Sequence, residues 1–315
     1  MEGERRQLLF VRSVVLCGHE MASSTCTVEQ SDEGTSYSYP CTLPLDAGQR
    51  QQACEHLKPS PLVAHCAAGL VRTFTHPLVY RSFKENLLHA MGGRHASFLL
   101  LKAFDLSSKD SRFRFAAQVA DDVRSWSERH DTSDRRQSLH AALRFVRPQR
   151  VLLLTPRSES ARLHEHLNSN CSWGTGQNTS DRGAYSTPAG VARHVGQMLS
   201  SASCLSMIEQ HERTHGLRFD YVTRTRPDLG FLAPVRPYCA FFFQKQPPVA
   251  HLDARDFVYL MRREHASALL AQPLQIYQSC NGSASWAGAY EWLLRRAVGQ
   301  AGLALCTPSH QYVTS

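Results

Sequence analysis

The fold is decided by the stretch Phe219-Asp220-Tyr221-Val222-Thr223-Arg224-Thr225-Arg226-Pro227-Asp228-Leu229-Gly230-Phe231. Residues 219–225 are β-rich, and Pro227 cannot donate a hydrogen bond to a sheet, so the pattern predicts a buried strand that ends in a loop. Arg224, Arg226 and Asp228 lie at that junction, where open α/β sheets bind ligands. Alternation places both arginines on one face of the strand. The stretch therefore predicts either an anion site or a strand end fixed by a salt bridge to Asp228.

Strands and helices alternate along the chain from residue 61 onward. Apolar runs predict further strands at residues 62–67, 97–103, 151–154, 240–243 and 256–261. Amphipathic patterns predict helices at residues 77–91, 115–129, 138–145, 189–215, 262–271 and 285–298, and a polar run predicts a long loop at 168–187. This alternation predicts an α/β fold with a mostly parallel mixed sheet flanked by helices, in one domain over residues 61–315.

Residues 1–60 differ in composition from the rest of the chain. They contain eight acidic and five basic residues, and the part after Glu20 is rich in Ser, Thr, Gln and Pro. Such a segment buries little apolar surface, so we expect it to be flexible. Its apolar run, residues 8–17, is interrupted by Arg12 and is shorter than a membrane-spanning helix requires, so we expect no membrane span.

Charge and cysteine content exclude some classes of function. The net charge is +8, but thirty arginines and five lysines are scattered along the chain without a basic run, which argues against a nucleic-acid partner. Ten cysteines include no Cys-x-x-Cys pair, which argues against structural zinc, whereas disulfides of undetermined pairing are compatible. Sequons begin at Asn170, Asn178 and Asn281. They favour the secretory lumen, with a cytoplasmic location as the alternative.

The segment His211-Glu212-Arg213-Thr214-His215 matches the His-Glu-x-x-His pattern of zinc hydrolases. Gly216 ends the predicted helix directly after the second histidine, and the flanking residues are polar. Histidines near a helix C-terminus are also favoured by the helix dipole. We therefore interpret the segment as a solvated helix end.

Other candidate site residues lie at predicted strand ends and on the last helix. Arg72 and Thr73 follow the first strand of the domain, where a guanidinium group and backbone amides can hold phosphate. Asp256 begins the strand at 256–261, Asp253 lies in the loop before it, and Glu291 lies on the last helix. Glu291 is a candidate general base or sugar contact, and each of the three carboxylates is otherwise a surface salt-bridge partner.

The chain resembles glycosyltransferases of the GT-A, nucleotide-diphospho-sugar type. It is most similar to a plant and algal group and to WavE-like lipopolysaccharide-synthesis proteins. The resemblance covers roughly residues 61–305 and rests on three segments, Val63–Phe74, Phe219–Leu229 and Asp256–Met261. It implies a single Rossmann-like domain that binds a nucleotide sugar over the carboxyl ends of its strands and transfers the sugar to a glycan or glycoprotein acceptor, in the Golgi or another secretory lumen.

The resemblance also implies roles for individual residues. Arg72, Thr73, Arg224, Arg226 and Asp253 would bind substrate, and Asp228 would occupy the place of the Asp-x-Asp motif that holds Mn²⁺ or Mg²⁺. Asp228 is the only acid of that motif here, so arginines are the alternative means of neutralising the diphosphate. Asp256 or Glu291 would be the catalytic base, with Asp228 completing the catalytic set. The rival interpretations are a nucleotide-dependent sulfotransferase and a catalytically inactive carbohydrate-binding protein of the same fold.

Overall fold

The computed structural model describes residues 13–15, 26–31, 34–38, 60–71, 73–102, 132–167, 188–240, 249–252, 258–279 and 290–306. Ten strands lie in these ranges: β1 (Ser13–Val15), β2 (Cys26–Ser31), β3 (Gly34–Ser38), β4 (Leu62–Leu70), β5 (Arg94–Lys102), β6 (Arg150–Leu154), β7 (Tyr221–Thr225), β8 (Val249–Leu252), β9 (Val258–Arg262) and β10 (Ala304–Cys306). They form one sheet in the order β1-β2-β3-β10-β8-β9-β7-β4-β5-β6.

The centre of the sheet is parallel. β4 pairs in parallel with β5 on one side and with β7 on the other, and β5 pairs in parallel with β6. β9 is antiparallel to both β7 and β8, so the sheet is mixed. The predicted α/β fold with a mostly parallel mixed sheet is confirmed. We call the edge at which the parallel strands end the carboxyl edge, and the edge at which they begin the amino edge.

Seven α-helices lie in the described ranges: α1 (Pro77–Ser82), α2 (Thr132–Val146), α3 (Pro156–His166), α4 (Pro188–His215), α5 (Ala266–Leu270), α6 (Gln272–Gln278) and α7 (Tyr290–Gln300). α1 continues into a π-helical turn, Phe83–His89, and a 3₁₀ turn, Arg263–His265, precedes α5. α3 and α6 were not predicted. α3 is polar, but Thr155 and Ser158 form a capping box at its start, with Pro156 in its first turn.

The helices cover the two faces of the sheet with separate apolar cores. One core joins Ala64, Cys66, Phe98 and Leu100 of the sheet to α4, α5, α6 and α7, and we call this side the α4 face. The other joins Ala67, Leu99, Leu101 and Leu260 to α1, its π-helical turn and α2, and we call this side the α1 face. Because successive residues of β4 and β5 alternate between these cores, both faces of the central strands are buried, as in other parallel sheets.

Several predicted elements lie outside the described residues. These are the helix at 115–129, the loop at 168–187 and the start of the helix predicted from residue 285. The strand predicted at 240–243 begins inside a 3₁₀ turn, Tyr238–Ala240, and its other residues lie outside the described ranges. Within the segment predicted to be flexible, residues 1–60, the structure describes β1, β2 and β3, which were not predicted.

A disulfide joins the sheet to the longest helix. Cys66 of β4 is bonded to Cys204 of α4, and both residues are completely buried. The two cysteines are 138 positions apart, so the bond closes a long loop and lowers the conformational entropy of the unfolded chain. Cys239 is also disulfide-bonded. In the described part of the chain no helix combines the length and apolar character needed to cross a membrane.

Candidate functional site

The carboxyl edge contains the point at which the strand order reverses. From β4 the chain runs to the adjacent β5 and on to β6, and it then returns through α4 to β7 on the other side of β4. The connections that leave the ends of β4 and β7 therefore lead in opposite directions along the sheet. In open α/β sheets a crevice at such a point is the usual place for a ligand, and we call this part of the carboxyl edge the crevice. It is the part of the fold in which the predicted site residues belong.

The loops after β4 and β7 contact each other directly at this point. Thr73 Oγ1 donates a hydrogen bond to the backbone carbonyl of Asp228, at 3.3 Å, across 155 positions of sequence. Gly69 of β4 has a positive φ of 157°, and a Cβ on it would lie 3.0 Å from Cδ of Pro227. Glycine thus permits the close approach of the two loops. The structure brings together Thr73 and Asp228, two of the residues predicted to form the site.

Asp228 is held by Arg226 in a two-point ion pair. Arg226 Nε donates to Oδ1 at 2.9 Å and Nη2 donates to Oδ2 at 2.6 Å. The side chains are largely buried, with exposed fractions of 17% for Arg226 and 9% for Asp228. The salt bridge to Asp228 that the sequence offered for this strand end is therefore present, and the anion site offered beside it stays a prediction. The ion pair fixes the orientation of the guanidinium plane.

The loop after β7 is also fixed by the π-helical turn that follows α1. Asn86 Nδ2 donates to the carbonyl of Phe231 at 2.6 Å, and the Asn86 carbonyl accepts from the Val235 amide at 2.7 Å. The Phe231 amide donates to Ser82 Oγ at 3.0 Å. π-Helical turns widen a helix and often occur at functional sites. Here the turn holds the loop that carries Arg226 and Asp228.

Arg224 lies inside the core rather than at an open surface. It is 2% exposed, and its guanidinium carbon lies 5.2 Å from the ring centroid of Tyr259, its cross-strand neighbour on β9. Its other neighbour in the sheet is Cys66 of the disulfide. A cation over an aromatic ring in such a dry place is stabilised by the ring quadrupole. Arg224 therefore belongs to the α4 face and lies behind the loops that form the crevice.

The structure reveals a buried charge cluster that sequence reasoning missed. Lys102, the last residue of β5, donates to Glu159 Oε1 of α3 at 2.5 Å and to the carbonyl of Gly196 of α4 at 2.9 Å. Arg162 Nη1 lies 3.6 Å from Glu159 Oε2. Burial lowers the pKa of Lys102, and the charges of Arg162 and Arg224 act in the same direction, whereas Glu159 opposes the shift. The cluster lies at the carboxyl edge, on the α4 face.

The sequence feature that could have indicated this cluster is a charged residue at the end of an apolar strand. Lys102 closes the run Ser97-Phe98-Leu99-Leu100-Leu101 of β5. A lysine in that position is usually exposed, so the sequence alone did not single it out. Its partner, Glu159, lies on a helix that the sequence did not predict.

The other predicted site residues cannot be placed. Arg72, Asp253 and Asp256 lie outside the described residues. Glu291 lies in the first turn of α7, and its side chain is outside the described part of the structure. Their assignment to substrate binding and catalysis remains a prediction.

The described residues do not fit a Mn²⁺ or Mg²⁺ site. Both carboxylate oxygens of Asp228 accept hydrogen bonds from Arg226. Within the described ranges no three His, Cys, Asp or Glu side chains are arranged to share a metal ion. A hard divalent cation needs several oxygen ligands, and one carboxylate that is already ion-paired does not supply them.

The His-Glu-x-x-His segment forms the end of α4, as predicted. Glu212 accepts from Arg263 Nε at 2.9 Å and Nη2 at 2.7 Å, and from the Phe219 amide at 3.0 Å. The rings of His211 and His215 stack with centroids 4.0 Å apart. The glutamate therefore connects the end of α4 to β7 and to the 3₁₀ turn after β9. This role leaves it bonded within the fold rather than poised to activate water.

The sequence matches no protein-family model and no curated protein. The resemblance to GT-A glycosyltransferases accordingly depends on the three segments quoted above.

Proposed function

We propose that the chain is a glycosyltransferase that takes a sugar from a nucleoside diphosphate bound over the carboxyl ends of β4 and β7. The observation that carries the proposal is the contact between Thr73 and Asp228 at the point where the strand order reverses. Residues from two distant parts of the sequence are thereby joined at the place where α/β folds bind nucleotides. The resemblance to GT-A enzymes implies that both residues lie at the nucleotide, Thr73 as a substrate contact and Asp228 in the place of the Asp-x-Asp motif.

In the proposed reaction the diphosphate is neutralised by arginine. The bond between the anomeric carbon and the phosphate oxygen breaks, and the nucleoside diphosphate leaves with the electron pair. The acceptor hydroxyl forms the new bond to carbon, and a carboxylate takes its proton, for which Asp256 and Glu291 are the candidates. Arg226 is oriented by Asp228, whose carboxylate accepts from its Nε and Nη2. An oriented cation at the departing diphosphate stabilises the developing charge.

A binding protein without catalysis is the second candidate. It is favoured by the pairing of Asp228 with Arg226, because an ion-paired carboxylate is a poor metal ligand. Such a protein would bind a free sugar, and it would bind the nucleotide part of a donor weakly or not at all.

Calorimetric titration separates these candidates. We expect UDP or GDP to bind the parent protein with or without Mn²⁺, and we expect Arg226→Gln to weaken that binding at least tenfold, about 1.4 kcal/mol. Arg236→Gln, in the same loop, is the matched control and leaves the affinity unchanged. Binding of free sugars alone would support the second candidate. Binding of an adenosine phosphosulfate analogue alone would support a sulfotransferase, and either result would reject the proposal.

We also propose that the protein resides in the secretory lumen. The bond between Cys66 and Cys204 and the bonded state of Cys239 support this, since disulfides persist in oxidising compartments and are rare in the cytosol. Thiol alkylation followed by intact-mass measurement tests it. We expect Cys66, Cys204 and Cys239 to resist alkylation without a reductant, and glycosidase treatment to lower the mass. Full alkylation in protein from its native cells would contradict the proposal.

A further inference from the structure

A pocket of about 440 Å³ lies at the amino edge of the sheet, away from the crevice between β4 and β7. It forms where β7 begins and its antiparallel neighbour β9 ends, since Tyr221 is paired with Arg262. The lining residues come from these strand ends, from the approach to β7 and from the 3₁₀ turn: Arg218, Phe219, Asp220, Tyr221, Arg262, Arg263 and Glu264. Its size lies at the lower end of the range for small-molecule sites.

Two of the charged groups in this pocket are already bound within the fold. Arg263 donates twice to Glu212, at 2.9 and 2.7 Å, and also contacts Glu209, at 3.5 Å. Asp220 Oδ2 accepts from the Leu62 amide at 2.7 Å. The charge of Arg263 is therefore compensated by acids of the fold, whereas Asp220 accepts from a neutral amide and keeps its negative charge at the wall of the pocket.

Arg218 and Arg262, unlike Arg263, form no close ion pair with an acid in the described part of the chain. Arg218 is exposed, and no acid in the described part of the chain forms an ion pair with it. The nearest described acid to Arg262 is Glu264, whose Oε1 is 3.7 Å from Nη1. Glu264 is itself 55% exposed and also faces His265 Nε2 at 3.5 Å, so the contact is loose.

The guanidinium of Arg262 also has an unused donor. Its Nε is buried, and no residue in the described ranges accepts a hydrogen bond from it. A buried donor without an acceptor is uncommon, because its lost hydration is not replaced. Because Nε is itself shielded from solvent, a ligand in the pocket meets the exposed part of this side chain, which is 34% of it. The planar fork of arginine is matched by the two oxygens of a carboxylate or of a phosphate group.

We propose that the amino-edge pocket binds a small molecule that carries a carboxylate or a phosphate group, held by Arg218 and Arg262. Phe219 and Tyr221 line the pocket beside these arginines and supply apolar surface for the rest of the ligand. The site is separate from the proposed nucleotide site, and it does not depend on that proposal.

Calorimetry at low ionic strength tests this inference with three probes: glucuronate for a carboxylate, inorganic phosphate for a phosphate group, and glucose as the neutral counterpart. We expect the parent protein to bind glucuronate, phosphate or both, and not to bind glucose. Arg218→Gln changes an exposed residue and so preserves the fold, and we expect it to weaken anion binding at least threefold. We expect the double variant with Arg262→Gln to weaken it at least tenfold.

Two control variants locate the binding. Arg144→Gln removes an exposed arginine of α2, and Arg226→Gln alters the proposed nucleotide site. Neither should change the affinity for glucuronate. The proposal is overturned if the parent binds neither anion, or if the double variant binds as tightly as the parent. A similar loss in Arg144→Gln would also overturn it, since that result would show general attraction to a chain of net charge +8.

Discussion

The two faces of the sheet bury ionisable side chains in opposite ways. On the α4 face Lys102 is 8% exposed and Glu159 is 2% exposed, and the two are joined by an ion pair of 2.5 Å. On the α1 face His65 of β4 is completely buried, and its pKa is lowered to about 3, first by that burial and then by the neighbouring charge of His95. The buried lysine of the α4 face is therefore paired with a carboxylate, whereas the buried histidine of the α1 face stays neutral.

The difference shows what burial demands of each group. The Lys102 ammonium is compensated by a carboxylate and a carbonyl, so the charged form is tolerated. His65 Nδ1 lies 2.7 Å from Thr223 Oγ1, and in the described ranges no acceptor lies at its Nε2. A second proton on His65 would be buried without a partner. Removal of Glu159, the partner of Lys102, should therefore lower stability through the α4 face. Protonation of His65 should lower stability through the α1 face.

The largest effect is expected when the buried ion pair is broken. Glu159→Gln leaves the Lys102 ammonium buried without its counter-charge, and we expect the free energy of unfolding to fall by about 3 to 5 kcal/mol. Denaturant unfolding under non-reducing conditions measures this. Glu165→Gln, an exposed position on the same helix, should change stability by less than about 0.5 kcal/mol.

The paired substitution sharpens that test. In the double variant Lys102→Met with Glu159→Leu, apolar side chains replace both charges, and we expect most of the lost stability to return. A double variant as unstable as Glu159→Gln would show that packing, not unpaired charge, causes the loss.

The second largest effect is a pH dependence of the free energy of unfolding, caused by His65 on the α1 face. In the unfolded chain His65 takes up a proton near its ordinary pKa of 6.5, whereas in the folded chain it does so only near pH 3. Between these values the unfolded state binds more protons, so stability falls as the pH falls, by about 1.4 kcal/mol per unit. The loss from pH 6.5 to 4.5 is then about 2 kcal/mol, because the unfolded histidine is already half protonated at pH 6.5. Unfolding midpoints measured across this range test it.

Two histidine variants isolate the residue responsible. His65→Gln keeps a hydrogen-bonding group beside Thr223 without a titrating ring, and we expect it to flatten the pH profile. His140→Gln, at an exposed position of α2, should leave the profile unchanged. Some slope will remain in His65→Gln, because burial also lowers the pKa of His95, beside Lys84 and His89. An unaltered slope in His65→Gln would exclude His65 as its source.

A smaller effect is expected for the ion pair at the crevice. Asp228→Asn removes the charge to which Arg226 donates twice, and the pair is less buried than that of Lys102 and Glu159. We expect a loss of about 2 kcal/mol. A double-mutant cycle with Arg226→Gln measures the coupling directly. Coupling below the error of the measurement would mean that the pair does not persist in solution.

The sequence predicted the central strands β4, β5, β6, β7 and β9, but it missed β8, β10 and the charges that lie between the strands and the helices. The runs that became β4, β5, β6 and β7 are apolar or β-branched and are bounded by turn residues, so local pattern was sufficient. The ion pair of Lys102 with Glu159 joins residues 57 positions apart. They come together because α3 packs beside the sheet, and no local sequence pattern indicates that contact.

The candidate site was predicted in part. Pro227 and the clustered charges placed a loop with Arg226 and Asp228 at a strand end, and its contact with Thr73 follows from the parallel pairing of β4 with β7. For Arg224, alternation gave the face of the strand. The face that α4 covers is decided by tertiary packing. The burial of Arg224 against the ring of Tyr259 was therefore not predicted.

The smallest effect on stability is expected at the amino edge of the sheet. Glu264→Gln removes an exposed acid whose contact with Arg262 spans 3.7 Å, and screened contacts of this kind contribute little to folding. We therefore expect an unfolding midpoint equal to that of the parent within error. The same change removes the negative charge nearest to Arg262, so glucuronate should bind at least twofold more tightly. Unchanged stability together with weaker glucuronate binding would mean that Glu264 takes part in holding the ligand, and the pocket would then favour a ligand with a positive group as well as a negative one.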